Sequence, residues 1–357
     1  MTPAVQSMEL PRSKRATRAD VARAARVSLI TVTYSLNPSA KIRIGAKTRE
    51  RVRAIARQLG YRSGYGRRVL AAHKAYTVGL VVPDQRALLF PMYEMIIDGA
   101  TERMNADDFD PLLLSFARWD RVARVTQDGR VDAIMLLQSN LDDRFIGRAA
   151  AIGLPLVVIN RGLPEGVENE HTACVYSDYG RMMADVVDEF VAIGCRRILN
   201  FSSDRGIFAN RMCCEGFNAA IEKHVEGGVN GSTMSPSAEH LEQQAAGMFK
   251  GGCAWDGIFV AGSPVVGPLL RAAEAHGMRV ARDFQLITTD AYPETESYSG
   301  GKPHARRERT AYLQQPRLVG AEAWRTMRAL LAGEPVGKTV RVPYISQRIN
   351  PETEGAP

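Results

Sequence analysis

Short apolar runs alternate with amphipathic helical segments from Thr77 almost to the end of the chain, and this alternation restricts the possible folds most strongly. The first run, TVGLVVP, is continuously apolar, as a strand buried on both faces of a parallel sheet should be. Comparable runs occur at 111–116, 133–138, 154–160, 197–203, 257–262 and 284–290. Helical periodicity is present near 92–104, 141–151, 179–193, 210–224, 264–276 and 318–332. The alternation predicts βαβ units and a mainly parallel α/β architecture.

The length of this α/β region predicts how it is organised. It spans roughly 280 residues, more than one doubly wound domain comfortably holds, so we expect two lobes. Open parallel sheets bind ligands beyond the carboxyl ends of their strands. The polar residues that follow the apolar runs are therefore candidate pocket residues: Asp84, Gln138, Asn160, Asp178 and Asp290.

The N-terminal segment 18–37, RADVARAARVSLITVTYSLN, has the spacing of a helix-turn-helix. Asp20 is placed to cap a first helix, Arg26 and Val27 to form the turn, and Ser28 to cap a second helix. Apolar residues that would form the shared contact of the two helices recur at helical spacing: Val21, Val27, Val32 and Leu36.

The second helix of this motif would expose Leu29, Ile30, Thr33 and Tyr34, which could lie in a DNA major groove. A third helix should follow, with Thr48 as its cap. On spacing alone, a short helical hairpin with an apolar face is the alternative to a DNA-binding module.

Positive charge is concentrated in the same part of the chain. The segment 12–74 contains 17 Lys and Arg against 2 Asp and Glu, a net +15, whereas the whole chain carries +7, so the remainder carries −8. Phosphate neutralisation on DNA requires such a concentration. A solvated surface or a disordered tail is the alternative. The basic residues are interleaved with regularly spaced apolar ones, which favours a folded module.

The sequence lacks the common motifs of catalysis, metal binding and membrane insertion. It has no GxSxG, HExxH, Walker A or GxGxxG pattern, its six histidines form no pair, and its five cysteines show neither metal spacing nor a disulfide framework. No apolar run reaches about 18 residues. Residues 1–15 lack the apolar centre of a signal peptide and are expected to form a disordered lead. These observations predict a cytoplasmic binding protein that is not an enzyme and has no cofactor or metal.

With both halves considered together, the chain resembles the LacI–GalR family of bacterial transcription regulators from Arg18 to about Asn350. The strongest match is DVARAARVSLITVTYSLN followed by AKTRERVRAIARQLGY. In the α/β region, the fragments that fall in family order are VGLVVPD, VDAIMLLQ, GLPLVVINR, VYSDYG, GCRRILNFSS, WDGIFVAG, QLITTD and VPYISQR. Each fragment alone is weak, but the ordered set is specific.

The resemblance implies a fold, a set of boundaries and a set of partners. The fold would be an all-α three-helix helix-turn-helix headpiece plus an α/β two-lobed periplasmic-binding-protein-like (type I) effector domain. The implied segments are a disordered lead at 1–15, a headpiece at 16–60, a hinge at 61–75, a first lobe of 76–190 plus 316–333, and a second lobe of 191–315 plus 334–357. The family acts as a homodimer on a pseudo-palindromic operator in double-stranded DNA, associated with the nucleoid in the cytoplasm, and most often as a repressor.

The resemblance also implies roles for individual DNA-binding residues. Leu29, Ile30 and Tyr34 match the positions that read bases. Leu70 matches the hinge leucine that wedges into the minor groove, with an ordinary packing leucine as the alternative. The positions that grip phosphates are matched by Ser28, Thr31, Thr33, Asn37, Thr48 and Tyr61, and Arg18 and Arg67 are further basic candidates.

For the effector, the resemblance implies a site between the lobes. Asp178, Arg211 and Asp290 match positions that hold polar groups of the effector, and Phe90 lies near a position where an aromatic ring stacks on sugars. Gln138 ends a strand at the same edge of the sheet. An Asp and an Arg facing one cleft can bind hydroxyls or a carboxylate, with a structural ion pair as the alternative.

The chain departs from the family pattern in the recognition helix and in the hinge. Tyr34 replaces a common Arg beside two apolar residues, so we expect a divergent operator with fewer arginine–guanine contacts. In the hinge, Ser63 and Gly64 replace Pro-Asn and Gly66 adds flexibility, so we expect it to be disordered until DNA orders it.

A further departure concerns the effector site. Gly262 and Ser263 stand where a polar pair is usual, and Ala291 stands where many members carry a second Asp. Partners for sugar hydroxyls are thereby lost, so an ordinary hexose is not expected. The alternatives are another sugar, a small acid, a less hydroxylated ligand, or no effector.

Other functional classes fit the sequence less well. A solute-binding protein of a transport system shares the two-lobed core but needs an export signal and no basic headpiece. An α/β enzyme needs a nucleophile or a cofactor loop. A nonspecific architectural DNA binder leaves the large acidic α/β region unexplained.

Overall fold

A computed structural model of the chain describes residues 16–36, 44–59, 61, 74–83, 91–138, 142–202, 206–237, 240–261, 263–289 and 309–349. The chain divides into two compact units, Met1–Ala75 and Tyr76–Pro357. The predicted lead at 1–15 and most of the predicted hinge lie outside the described residues.

The N-terminal unit is a three-helix module made of α1 (Arg18–Ala25), α2 (Leu29–Leu36) and α3 (Ala46–Gln58). Its core is small and mainly apolar, with Val21, Val32 and Val52 fully buried. Val27 and Leu36 pack partly buried against it, so the predicted apolar contact between the first two helices is confirmed.

The helix caps agree only in part with the prediction from sequence. Ser28 accepts a hydrogen bond from the Thr31 amide at 3.1 Å, as predicted. The first helix is capped by Thr17, and Asp20 is the third helical residue, whose carboxylate accepts from the Thr17 amide at 2.8 Å. This reciprocal pair is a capping box, and reading Asp20 as the cap was therefore wrong. Thr48 is no cap either, because α3 begins at Ala46, after Gly45.

The first sheet of the C-terminal unit is entirely parallel. It contains β1 (Thr77–Val82), β2 (Asp110–Ser115), β3 (Ala133–Leu137), β4 (Leu156–Ile159), β5 (Thr172–Ser177) and β11 (Thr339–Val342), in the order β11-β5-β4-β3-β1-β2. Strands β1, β3, β4 and β5 are buried along their whole length, as continuous apolar runs predict.

The helices that connect and cover this sheet include α4 (Pro91–Ala106), α5 (Trp119–Gln127), α6 (Arg144–Ala150) and α11 (Pro316–Ala332). Helices α4 and α11 pack closely against each other. Trp324 of α11 donates from Nε1 to the Asp107 carboxylate at 2.7 Å, and its ring lies 5.1 Å from that of Phe109. The late helix α11 therefore returns to the first lobe, as the resemblance implied.

The second sheet is parallel except for its last strand. It contains β6 (Arg197–Ser202), β7 (Asn230–Met234), β8 (Gly257–Ala261), β9 (Gln285–Thr289), β10 (Arg309–Leu313) and β12 (Ile345–Ile349), in the order β12-β10-β9-β8-β6-β7. Strand β12 is antiparallel to β10. The other helices of the unit are α7 (Tyr179–Ala192), α8 (Phe208–His224), α9 (Leu241–Phe249) and α10 (Ser263–Ala275).

Helix α7 belongs with the second sheet, which corrects the predicted lobe boundary at 190/191. Its Glu189 accepts hydrogen bonds from Thr310 and Tyr312 of β10, at 2.5 and 3.0 Å. Burial, followed by the charge of Glu189, raises the pKa of the Tyr312 phenol, which therefore stays protonated as a donor. Phe190 lies directly over Gly257 of β8. The first crossing between the lobes is thus at 177/178.

The predicted assignment of 334–357 to the second lobe also needs correction. Strand β11 pairs with β5 of the first sheet and β12 with β10 of the second, so the chain crosses between them at 343–344. The crossings lie side by side. The Asp178 amide donates to the Val342 carbonyl at 2.7 Å, and Gln315 Nε2 donates to the Pro343 carbonyl at 2.8 Å. Among the described residues we find no helix long and apolar enough to span a bilayer.

Candidate nucleic-acid interface and interlobe site

Helix α2 divides its side chains between the headpiece core and solvent. Val32 and Ser35 are fully buried, whereas Leu29 and Ile30 are 43% and 67% exposed. Tyr34 is half-buried. Two large aliphatic side chains held in water on one short helix are unusual for a structural helix and are suited to contact with another molecule.

Polar contacts surround this exposed pair. The Thr33 hydroxyl donates to the Leu29 carbonyl at 2.9 Å and accepts from Arg18 Nη1 at 3.0 Å. The Ser28 and Thr31 hydroxyls are 2.9 Å apart. Two separate hydrogen-bonded groups, Arg18–Thr33–Leu29 and Ser28–Thr31, thus contain five of the residues predicted to meet DNA.

Of the other predicted DNA-binding residues, the structure describes only Thr48 and Tyr61. Thr48 lies half-buried in the first turn of α3, and Tyr61 packs partly buried against the headpiece core, where its amide donates to the Ala56 carbonyl at 2.8 Å. The remaining candidates, Asn37, Arg67 and Leu70, lie outside the described residues.

At the carboxyl edge of the first sheet, polar side chains are buried after β3 and β4. Gln138 Nε2 donates to the Asp142 carbonyl. Asn160 is in the left-handed region with φ 70°. Arg161 is only 3% exposed and donates to the Asp143 carboxylate at 2.5 Å and to the Gly162 carbonyl at 3.1 Å. Gln138 and Arg161 thus both anchor the segment that precedes α6.

That same segment carries a perturbed carboxyl group. Hydrogen bonds from the Arg144 side chain, followed by its amide, lower the pKa of Asp142 to about 2. Asp142 is therefore ionised throughout the neutral range, and its charge helps to keep the loop before α6 in place.

From the second lobe, the first turn of α8 projects onto this edge. The guanidinium carbons of Arg161 and Arg211 lie 6.0 and 5.7 Å from the centre of the Phe208 ring. The Phe208 ring also meets Tyr176 edge-on, at 5.1 Å between centroids. Arg211 is half-exposed, and its ion pair with Glu215 is long, at 3.8 Å.

The predicted effector residues are only partly brought together. Asp178 caps α7 by accepting from the Arg181 amide at 3.2 Å, and its neighbour Tyr179 lies 6.3 Å from the Phe208 ring that Arg211 overlies. Asp178 and Arg211 therefore flank one aromatic cluster. Phe90 and Asp290, together with the candidate Asp84, lie outside the described residues.

Two residues of this cluster were not singled out from sequence. Arg161 ends the fragment GLPLVVINR, and Phe208 precedes Arg211 by one helical turn. A charged residue two positions after a buried strand was the available signal for Arg161. No pattern indicated that Phe208 would face the opposite lobe.

A hydrogen-bonded chain of polar side chains joins the lobes beside the Phe208 cluster. Tyr179 donates its hydroxyl to Asn160 at 3.2 Å, and Gln314 Nε2 lies 3.3 Å from the Tyr179 hydroxyl and 2.9 Å from that of Tyr344. A hydrogen bond with Tyr176 raises the pKa of the Arg341 guanidinium. The crossings thus carry a polar network that any rotation of the lobes must rearrange.

Gly162 of the first lobe lies close to the Phe208 ring of the second lobe. A Cβ added at Gly162 would lie 3.3 Å from the Phe208 ring. We expect Gly162→Val to lower the free energy of unfolding by about 1–3 kcal/mol, because the larger side chain pushes the ring out of its site. In a Phe208→Leu background the same change should cost much less. A double-mutant cycle measured by urea unfolding tests this, and strict additivity would contradict the contact.

Known proteins resemble the chain in both units. Residues 17–63 match the model for bacterial regulatory proteins of the lacI family. The HTH-type transcriptional regulator CelR of Thermobifida fusca is 25% identical over 91% of this chain and 94% of its own length. The headpiece thus matches the LacI family, and nearly the whole chain is similar to a transcriptional regulator.

Solved structures of LacI-family proteins establish the fold over nearly the whole chain. The lac repressor dimer bound to operator and the anti-inducer ONPF superposes with a TM-score of 0.74 at 19% identity, covering 95% of this chain and 99% of that one. The CelR–cellobiose complex gives a TM-score of 0.61 at 23% identity, covering 94% and 100%. The predicted fold class, a helical headpiece with a two-lobed periplasmic-binding-protein-like domain, is confirmed.

Proposed function

We propose that this LacI-family regulator binds a pseudo-palindromic DNA operator as a homodimer and represses transcription, and that a small molecule bound between its lobes changes its affinity for the operator. The observation that carries the proposal is the exposed pair Leu29 and Ile30 on the second helix of a basic helix-turn-helix. The operator complex of the lac repressor supports the same use of this unit.

The effector would lie where the lobes meet around Phe208. Asp178 and Arg211 would bind its polar groups, with Gln138 holding the neighbouring loop and Phe90 and Asp290 as further ligands. The CelR–cellobiose complex supports a sugar as one class of ligand. The half-exposed guanidinium of Arg211, whose ion pair with Glu215 is long, supports a small acid as the other.

Binding of the effector would act through the three crossings. A ligand that favours one arrangement of the lobes shifts the population toward it, and the spacing of the hinge segments at 61–75 changes with it. The protein would act in the cytoplasm, at the nucleoid, and would need no catalytic group. Neither a transport solute-binding protein nor an architectural DNA binder accounts for both units.

A gel-shift titration on DNA upstream of the protein's own gene tests this proposal. The full chain should retard one site in preference to competitor DNA, and a sugar or sugar acid from a metabolite panel should change the midpoint of the titration in either direction. Equal retardation of all duplexes would favour the architectural binder. Specific retardation with no response to any panel member would remove the effector from the proposal.

A substitution at Arg211 should distinguish effector binding from DNA binding. We expect Arg211→Ala to lower the affinity for the effector by roughly 10- to 150-fold, because a charge-assisted hydrogen bond is lost. Affinity for the operator should stay within about two-fold of wild type. The measurement is operator affinity against effector concentration. Arg181→Ala is the matched control, since Arg181 is an exposed helical arginine paired with Asp185 at 2.9 Å. An unchanged effector midpoint in Arg211→Ala would remove Arg211 from the site.

A further inference from the structure

The recognition helix α2 contains no side chain that reads guanine well. Its sequence, LITVTYSL, lacks Arg, Lys, Asn and Gln, the residues that make the common hydrogen bonds to purine edges. Leu29 and Ile30 can contact thymine methyl groups, but apolar contacts leave guanine O6 and N7 unread. A sequence-specific reader built from α2 alone would therefore be restricted to a narrow set of bases.

Helix α1 brings a guanidinium to the recognition helix. Arg18 is the first residue of α1, yet its Nη1 donates to the Thr33 hydroxyl of α2 at 3.0 Å. Thr33 in turn donates to the carbonyl of Leu29, one helical turn back. The Arg18 head is thus attached to the same part of α2 that carries the exposed aliphatic pair.

The chemistry of this contact leaves Arg18 able to bind a further acceptor pair. A guanidinium carries a planar fork of N–H donors and no acceptor, and one bond to Thr33 engages only part of that fork. Because the Thr33 hydroxyl uses its proton on the Leu29 carbonyl, it can only accept from Arg18. The guanidinium is thereby held in one place before DNA arrives, which reduces the entropy lost on binding.

We infer that Arg18 is the guanine-reading residue of this protein, supplied from α1 to a recognition helix that has none. The inference rests on the proposed operator binding. It predicts a half-site in which one guanine, bound through O6 and N7 by Arg18, lies beside thymines contacted by Leu29 and Ile30. Thr33 is a positioning residue that holds the guanidinium.

The test is selection of binding sites from random duplex DNA by the full chain, followed by affinity measurements for every single-base variant of the selected site. Arg18→Ala should lose roughly 5- to 150-fold in affinity for the selected site and lose its preference at one guanine per half-site. Arg18→Lys should keep the salt dependence but also lose that preference. Thr33→Val should weaken the same preference without changing the others.

Arg23→Ala is the matched control. Arg23 is a largely exposed arginine of α1, and its Nη1 lies 3.4 Å from the Asp20 carboxylate. It should leave the base preferences unchanged. Arg18→Ala could instead lower the affinity for all duplexes equally and reduce the slope of log affinity against log salt concentration by about one. Arg18 would then contact phosphate, and the inference would be overturned while operator binding stands. If the wild-type chain enriches no sequence, operator binding itself fails. Should Arg18→Ala unfold the headpiece, as judged by circular dichroism, Arg18→Lys and Thr33→Val decide the matter.

Discussion

Replacing both Leu29 and Ile30 with aspartate should reduce affinity for the selected operator by at least about 100-fold, since each lost base contact typically costs about 1–3 kcal/mol. The new carboxylates would also be repelled by the phosphates of the duplex. Both native side chains are exposed, so the change removes no core contact. Fluorescence anisotropy with a labelled operator measures the loss.

The control for this prediction is Val225→Asp. Val225 is 54% exposed, so it presents a comparable aliphatic side chain, but it lies in the C-terminal unit. Its replacement should leave operator affinity within about two-fold, as expected of a surface change away from the interface. If the double aspartate variant kept wild-type affinity while its headpiece remained folded by circular dichroism, α2 would not be the reading element.

Gly320→Ala should lower the free energy of unfolding by about 3 kcal/mol or more, although alanine is normally the better helix former. Helices α4 and α11 approach so closely that a Cβ at Gly320 would overlap the Ile96 carbonyl oxygen, and a Cβ at Gly99 would overlap that of Arg317. Because the opposing atoms are backbone, they cannot rotate away. The first lobe must therefore separate the two helices or bend one of them.

The same substitution at Gly147 should not lower the free energy of unfolding. Gly147 lies inside α6, and a Cβ there would meet no atom within 4 Å. Gly147→Ala should therefore be neutral or stabilise the protein by up to about 1 kcal/mol. Urea unfolding followed by circular dichroism measures both variants. Equal effects at the two positions would show that helix packing does not set the cost at Gly320.

The sequence was sufficient to predict the headpiece because its structure depends on local contacts. The buried residues Val21 and Val32 and the exposed residues Leu29 and Ile30 follow from helical periodicity and lie where the spacing placed them. The capping error at Asp20 arose because Thr17 and Asp20 form a reciprocal pair, and only the acidic member was considered.

Strands at sheet edges were harder to predict than central strands. Strand β7, with the sequence NGSTM, is almost wholly exposed, so it has no apolar run to reveal it. Strands β11 and β12 are separated by two residues yet join different sheets. Periodicity describes how a strand is buried but does not identify its partners, and the assignment of 334–357 to one lobe was therefore wrong.

The interlobe site depends on contacts between residues far apart in the chain. Arg161 and Arg211 are brought to one aromatic ring only because α8 of the second lobe meets the edge of the first sheet. Residue type indicated that Arg211 could bind a ligand. Only the fold shows that a buried second arginine, Arg161, accompanies it.

The central claim is that the helix-turn-helix reads sequence rather than charge alone, and the ratio of specific to nonspecific DNA affinity tests it most directly. We would titrate the full chain with the selected duplex and with a scrambled duplex of the same composition, at several salt concentrations. Our account predicts a ratio of at least about 10³ near physiological salt. A ratio near one, with both affinities falling equally as salt rises, would contradict it.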